Sequence, residues 1–139
     1  MIAVLSLTVS CVLLGLSVLH VYWMLGGRWG IEAVIPVRGN KRLFTPGKIG
    51  TLGVAAMLAF AAAIIMGIGG LTEPLLPGWV YQWGGWVIFG VFLLRAIGEF
   101  RWVGFFKTEK GTLFARWDTR VFSPLCFLLA AAVLTVLII

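Results

Sequence analysis

Positions 45–70 read TPGKIGTLGVAAMLAFAAAIIMGIGG, and this run decides the fold. After Lys48 it carries no charged residue. A hydrocarbon core needs roughly 20 helical residues to cross it, and this run is longer than that. In lipid every backbone N–H and C=O must be satisfied within its own segment, so the run must be a helix. Its start is marked by Thr45, a capping residue, and by Pro46, which fits the first helical position where a missing N–H costs nothing. Ala55, Ala59, Ala63 and Gly67 recur every four residues and line one face. Small residues at that spacing let helix backbones approach closely in lipid, so this is the expected packing face of a bundle, with a dimer seam as the alternative.

Three more runs of the same character lie around it. Residues 2–25 form the first, ending in His20, Tyr22 and Trp23 before Gly26-Gly27. Residues 79–101 form the third, opening with Trp79, Tyr81, Trp83 and Trp86, a set suited to the headgroup level. The fourth, residues 119–139, has an ambiguous start. Asp118 can cap a helix that is disturbed at Pro124, or Ser123 can cap a shorter one. The longer helix with a disturbed first turn spans a bilayer more comfortably and is the one expected. The fold class is therefore all-α, an integral membrane four-helix bundle, with 46–70 as its second span.

Composition agrees. Of 139 residues 61% are hydrophobic and 12% charged, about half the charge of a soluble domain. The basic residues behind the net charge of +6 sit mostly in short loops beside the apolar runs, which argues for a membrane protein and against nucleic acid. Loops 26–45 and 102–118 hold most of the Lys and Arg, and the second loop and both termini hold none, so the positive-inside rule puts the two basic loops in the cytoplasm of a bacterial inner (plasma) membrane protein, with both termini outside. The start has no basic n-region and a long apolar stretch, so it is read as a retained span rather than a signal peptide. In the third loop, aromatic residues mixed with cations suit a segment lying on the membrane surface, with Lys107 and Lys110 on an exposed turn. Arg42-Leu43-Phe44-Thr45-Pro46 and Arg120-Val121-Phe122-Ser123-Pro124 stand at matching places in the two halves, which would make the bundle two repeated helical hairpins.

Ionisable residues inside apolar runs are costly and usually face the bundle or a wet cavity. Arg95 and Glu99 are four apart, so on a continuous helix they share a face and can pair. They would mark a polar pocket at the cytoplasmic end, with His20 as a third member and Arg101 and Asp118 joining from the loop. The bland alternative is that Arg95 snorkels to the interface and Glu99 bridges two helices. Lys41, Arg42 and Lys48 flank the start of the second span and add positive charge, where free helix N–H groups also favour an anion. No H-E-x-x-H, G-x-S-x-G or P-loop is present. One histidine and two isolated cysteines, Cys11 and Cys126, do not make a standard metal site, so no metal and no cofactor is expected.

His20-Val21-Tyr22-Trp23 with Gly26-Gly27-Arg28-Trp29-Gly30, then Leu43-Phe44-Thr45-Pro46-Gly47, form one set of motifs. Leu94-Arg95-Ala96-Ile97-Gly98-Glu99-Phe100-Arg101-Trp102-Val103-Gly104-Phe105-Phe106-Lys107 is the most specific stretch, followed by Phe114-Ala115-Arg116-Trp117-Asp118-Thr119 and Ser123-Pro124-Leu125. Through these motifs the whole chain resembles a bacterial family of small membrane proteins known as domain of unknown function 3995. It departs from that family's pattern at Glu99, where Asp is commoner, and at Trp102, where Tyr is. The resemblance implies a four-span membrane protein with its motifs clustered at one end, and carries no activity.

The leading expectation is a non-enzymatic membrane protein that binds an anionic lipid headgroup or small anion in a cytoplasmic-leaflet polar pocket, with membrane lipid as its partner. The runner-up is a small transporter or channel, which four spans could form only as a homo-oligomer. The third is a membrane enzyme using His20 and Glu99 as acid and base on a lipid.

Overall fold

The computed structural model describes residues 1–139. Four long helices pack side by side: α1 (Ile2–Met24), α3 (Lys48–Ile68), α4 (Gly78–Ile97) and a last helix that is continuous over Leu113–Ile138. Between α1 and α3 lie a one-turn helix α2 (Ile31–Val34) and a small hairpin of β1 (Val37–Arg38) and β2 (Lys41–Arg42), turned at Gly39-Asn40. The chain is an all-α four-helix bundle. α1 packs most extensively on α3, and α4 on the last helix, so the bundle is two antiparallel hairpins laid together.

Only 24 of 139 residues are buried, while large apolar side chains such as Val18, Met57, Val87, Val91, Leu94 and Leu128 are exposed around the circumference. No helix is amphipathic in the way a water-facing surface requires. Four apolar helices of spanning length with this exterior make a multi-pass membrane protein. The interior is a compact cluster of Val9, Leu13, Ala62, Ile64, Ile65, Ile88, Leu129 and Val133.

The helix ends follow from local chemistry. α1 stops where Gly26 adopts φ +99°, and Gly26 and Gly27 donate to the carbonyls of Trp23 and Tyr22. α3 stops the same way, with Gly70 at φ +68° and Gly70 and Leu71 donating to Gly67 and Met66. Both are Schellman closures, in which a left-handed residue lets the next N–H groups satisfy orphan carbonyls.

Four expectations are corrected. First, Thr45 does not cap α3: the helix begins at Lys48, Gly47 holds the cap position, and the Thr51 hydroxyl donates back to the Gly47 carbonyl at 2.9 Å. Second, the packing face of α3 does not repeat every four residues. Ala55 is buried, Ala59 and Gly67 are half-buried, and Ala63 is exposed. The seam against α1 instead runs through Ala55, Ala62 and Gly69, seven apart. Ser17 donates to Ala55 O at 2.7 Å, Ser10 to Ala62 O at 3.1 Å, and Ser6 lies against Gly69. A seven-residue repeat holds contact along two supercoiled helices, which a four-residue repeat does not.

Third, α4 ends at Ile97, so Glu99 and Arg101 lie beyond it. Fourth, the last helix starts at Leu113, not at Asp118. Thr112 caps it by accepting from Ala115 N at 3.0 Å. It is built of α5 (Leu113–Trp117), a π turn (Asp118–Phe122) and α6 (Ser123–Ile138). Pro124 has no N–H to offer the Arg120 carbonyl, and the wide turn before it absorbs that loss, with Ser123 N donating to Asp118 O. Thr45-Pro46 precedes its helix whereas Ser123-Pro124 lies inside one, so the two matching pentapeptides play different local roles.

Candidate functional site

The chemistry of the chain gathers at the bundle end that carries α2 and the segment 98–112. Asp118, in the π turn, has no exposed surface. Its Oδ1 accepts from Arg95 Nη2 at 2.7 Å. Its Oδ2 accepts from Gly104 N at 2.8 Å, Lys107 Nζ at 2.9 Å and Ser123 Oγ at 3.2 Å. Every partner is a donor, so the group is an acceptor-only carboxylate.

The segment after α4 is shaped to deliver those donors. Gly98 (φ +79°) ends the helix and Gly104 (φ +90°) lies directly against it. A Cβ on either would run into backbone, that of Val103 or of Ile97, so only glycine fits both places. Phe105 N then donates to the Ala96 carbonyl at 2.9 Å, tying the loop onto the helix end. This fold-back carries Lys107 inward, where its side chain is 1% exposed. Its three protons are matched by Gly104 O at 2.9 Å, Asp118 Oδ2 and Thr119 Oγ1 at 2.6 Å. Lys107 was expected on an exposed turn, and that reading is overturned.

Charge in this cluster does not cancel. Two cations face one carboxylate, and Lys107 has no free proton. The surplus positive charge therefore rests with Arg95, whose Nη1 is enclosed and has no hydrogen-bond partner. Arg95 lines a cavity of about 900 Å³. Its walls are apolar: Leu16, Leu19 and Trp23 of α1, Val54 of α3, and Phe114, Trp117, Phe122 and Leu125 of the last helix. α2 roofs it with Ala33 and Val34, and Trp29 stands at the rim, held by Trp23 Nε1 donating to Trp29 O at 2.8 Å. The first turn of α3, through Gly47, Gly50 and Thr51, completes it. His20 is the other ionisable side chain of a charged type in the lining. Its Nδ1 is 2.7 Å from Leu16 O and its ring meets Trp23 edge-on at 5.1 Å.

A family described as "Protein of unknown function (DUF3995)" matches residues 13–133. The chain belongs to that family. No curated protein and no solved structure matches the chain. The matched residues include His20, every member of the Asp118 cluster and the whole cavity lining.

Of the residues singled out in the sequence, the structure brings His20 and Arg95 to the cavity and sets Asp118 behind Arg95. It does not bring the rest. Arg95 and Glu99 do not pair, because Gly98 ends the helix between them. Glu99 is exposed, and its Oε1 accepts from Trp102 N. A His20–Glu99 acid–base pair is therefore not assembled. Arg101 is exposed and lies 5.3 Å over the Trp102 ring. Lys41 and Arg42 sit exposed on the hairpin, and Lys48 is exposed at the start of α3; none of the three lines the cavity. Sequence reasoning missed Lys107, Gly104 and Ser123. The signal was present in Gly98 and Gly104, six apart, immediately after the last-turn Arg95.

Proposed function

We propose that this DUF3995 protein binds an anionic membrane lipid, with its acidic headgroup at Arg95 and its apolar part along the aromatic wall of the cavity. The observation that carries this is the surplus positive charge of Arg95, whose side chain is one-third exposed and lines a large and mostly apolar cavity. A small inorganic anion would satisfy the charge but leave the apolar walls wet, so an amphiphile fits better than a free ion. The basic residues of the two loops at this end support a position in the cytoplasmic leaflet of a bacterial inner membrane, with both termini on the other side.

The test uses two matched glycines. Gly50 lines the cavity and Gly53, one turn on, does not, and a Cβ at either meets nothing within 4 Å. Native mass spectrometry of the wild type should show retained anionic lipid at defined stoichiometry. Gly50→Trp should lose it and Gly53→Trp should keep it. Lys41→Gln with Arg42→Gln, on the exposed hairpin, should also keep it. Absence of lipid from the wild type, its displacement by inorganic phosphate, or equal loss from all three variants would overturn the reading.

A further inference from the structure

Two polar side chains of opposite kind line the cavity, the one-third exposed guanidinium of Arg95 and the imidazole of His20. Arg95 supplies a donor. His20 supplies an acceptor, for a reason fixed by its own helix. The Leu16 carbonyl 2.7 Å from His20 Nδ1 can only accept, so Nδ1 must carry the proton. In the neutral imidazole this leaves Nε2 as a bare lone pair. Nε2 makes no hydrogen bond within the protein and is not among its enclosed polar atoms, so it is open to whatever fills the space. An occupant that offered only anionic oxygens would meet Arg95 well and leave this acceptor unmatched, and facing a lone pair with an anion is repulsive.

We propose that the bound lipid presents a hydroxyl as well as an anionic oxygen, and that His20 accepts from that hydroxyl and thereby selects among anionic lipids. The ligand class is a polyol phosphodiester lipid, with the phosphate at Arg95 and a headgroup hydroxyl at His20 Nε2. This rests on the lipid-binding reading above and adds to it the discriminating residue.

The experiment compares two lipids of equal charge and chain length. Phosphatidylglycerol carries hydroxyls on its headgroup, whereas phosphatidylpropanol has the same phosphodiester and carbon count without them. Each is doped into phosphatidylcholine nanodiscs holding the full-length protein, and the retained lipid is counted by native mass spectrometry. One satisfied hydrogen bond corresponds to a preference of about two- to tenfold for phosphatidylglycerol. His20→Phe should abolish that preference while still retaining both lipids. His20→Gln, which offers an amide oxygen as acceptor, should restore it. Equal retention of the two lipids by the wild type overturns the inference and leaves anionic-lipid binding standing. Retention of neither overturns both. A preference that survives in His20→Phe removes the role from His20.

Discussion

Replacing Asp118 by Asn tests the centre of the structure with almost no change of shape. Four donors converge on this carboxylate, two of them charged, and its residue has no exposed surface. Asparagine keeps a single acceptor oxygen. If that oxygen takes the Oδ2 position, the amide NH2 faces Arg95 Nη2 donor to donor, across a contact that is now 2.7 Å. If it takes the Oδ1 position, the NH2 faces Gly104 N, Lys107 Nζ and Ser123 Oγ. In either rotamer a charged donor loses its acceptor, and both cations lose their counter-ion. Removing one partner of a buried pair costs about 3–5 kcal/mol, and that is the expected loss. Unfolding would be followed by SDS titration in mixed micelles, which reports an equilibrium free energy. Lys107→Met removes one of the stranded cations, so Asp118→Asn with Lys107→Met should cost less than the sum of the single changes, by about 1–3 kcal/mol. A loss below about 1 kcal/mol for Asp118→Asn, in the range of ordinary surface changes, would refute the buried carboxylate.

Glu99→Gln should be nearly neutral in the same titration, within about 0.5 kcal/mol, because the residue is exposed and a glutamine oxygen can still accept from Trp102 N. Gly104→Ala should cost about 1–3 kcal/mol from its positive φ alone and more from the clash with Ile97 backbone, seen as loss of a monodisperse peak in size-exclusion chromatography. Alkaline phosphatase fused after Ile139 should be active and green fluorescent protein fused there should be dark; a bright fluorescent fusion would reverse the orientation.

The four helices were legible because lipid leaves the backbone no alternative, and a run such as 48–68 contains nothing to interrupt it. Gly26-Gly27 and Gly70 were legible as stops because a left-handed closure needs glycine. The Arg95–Glu99 pair failed because four-residue spacing has meaning only on an unbroken helix, and Gly98 lies between them. Read as a stop signal, that glycine after a last-turn arginine would have ended α4 at Ile97. Lys107 was not legible. Its burial depends on two glycines meeting across a five-residue loop and on Asp118 in another helix, and no periodicity encodes such a contact. Ala63 misled for a smaller reason: a four-residue and a seven-residue repeat share Ala55, and only the partner helix distinguishes them. A pocket holding His20 and Arg95 was legible at this end, but its apolar walls were not, because the lining is drawn from α1, α2, α3, α4 and the last helix at once.

The order of the Asp118 cluster along the chain bears on how the protein is made. Arg95, Gly104 and Lys107 leave the ribosome before Asp118, and Ser123 follows within a few residues. At about 5–20 residues per second, the acid arrives about 1–5 s after Arg95 and about 0.5–2 s after Lys107. The positive side chains can stay among headgroups and water until then, and the socket closes when the carboxylate joins them. All five members belong to the second hairpin, and none is supplied by α1 or α3. The second hairpin can therefore lock its own charges during insertion, and the first hairpin, emerging earlier, needs only to be present for the cavity wall to close around it.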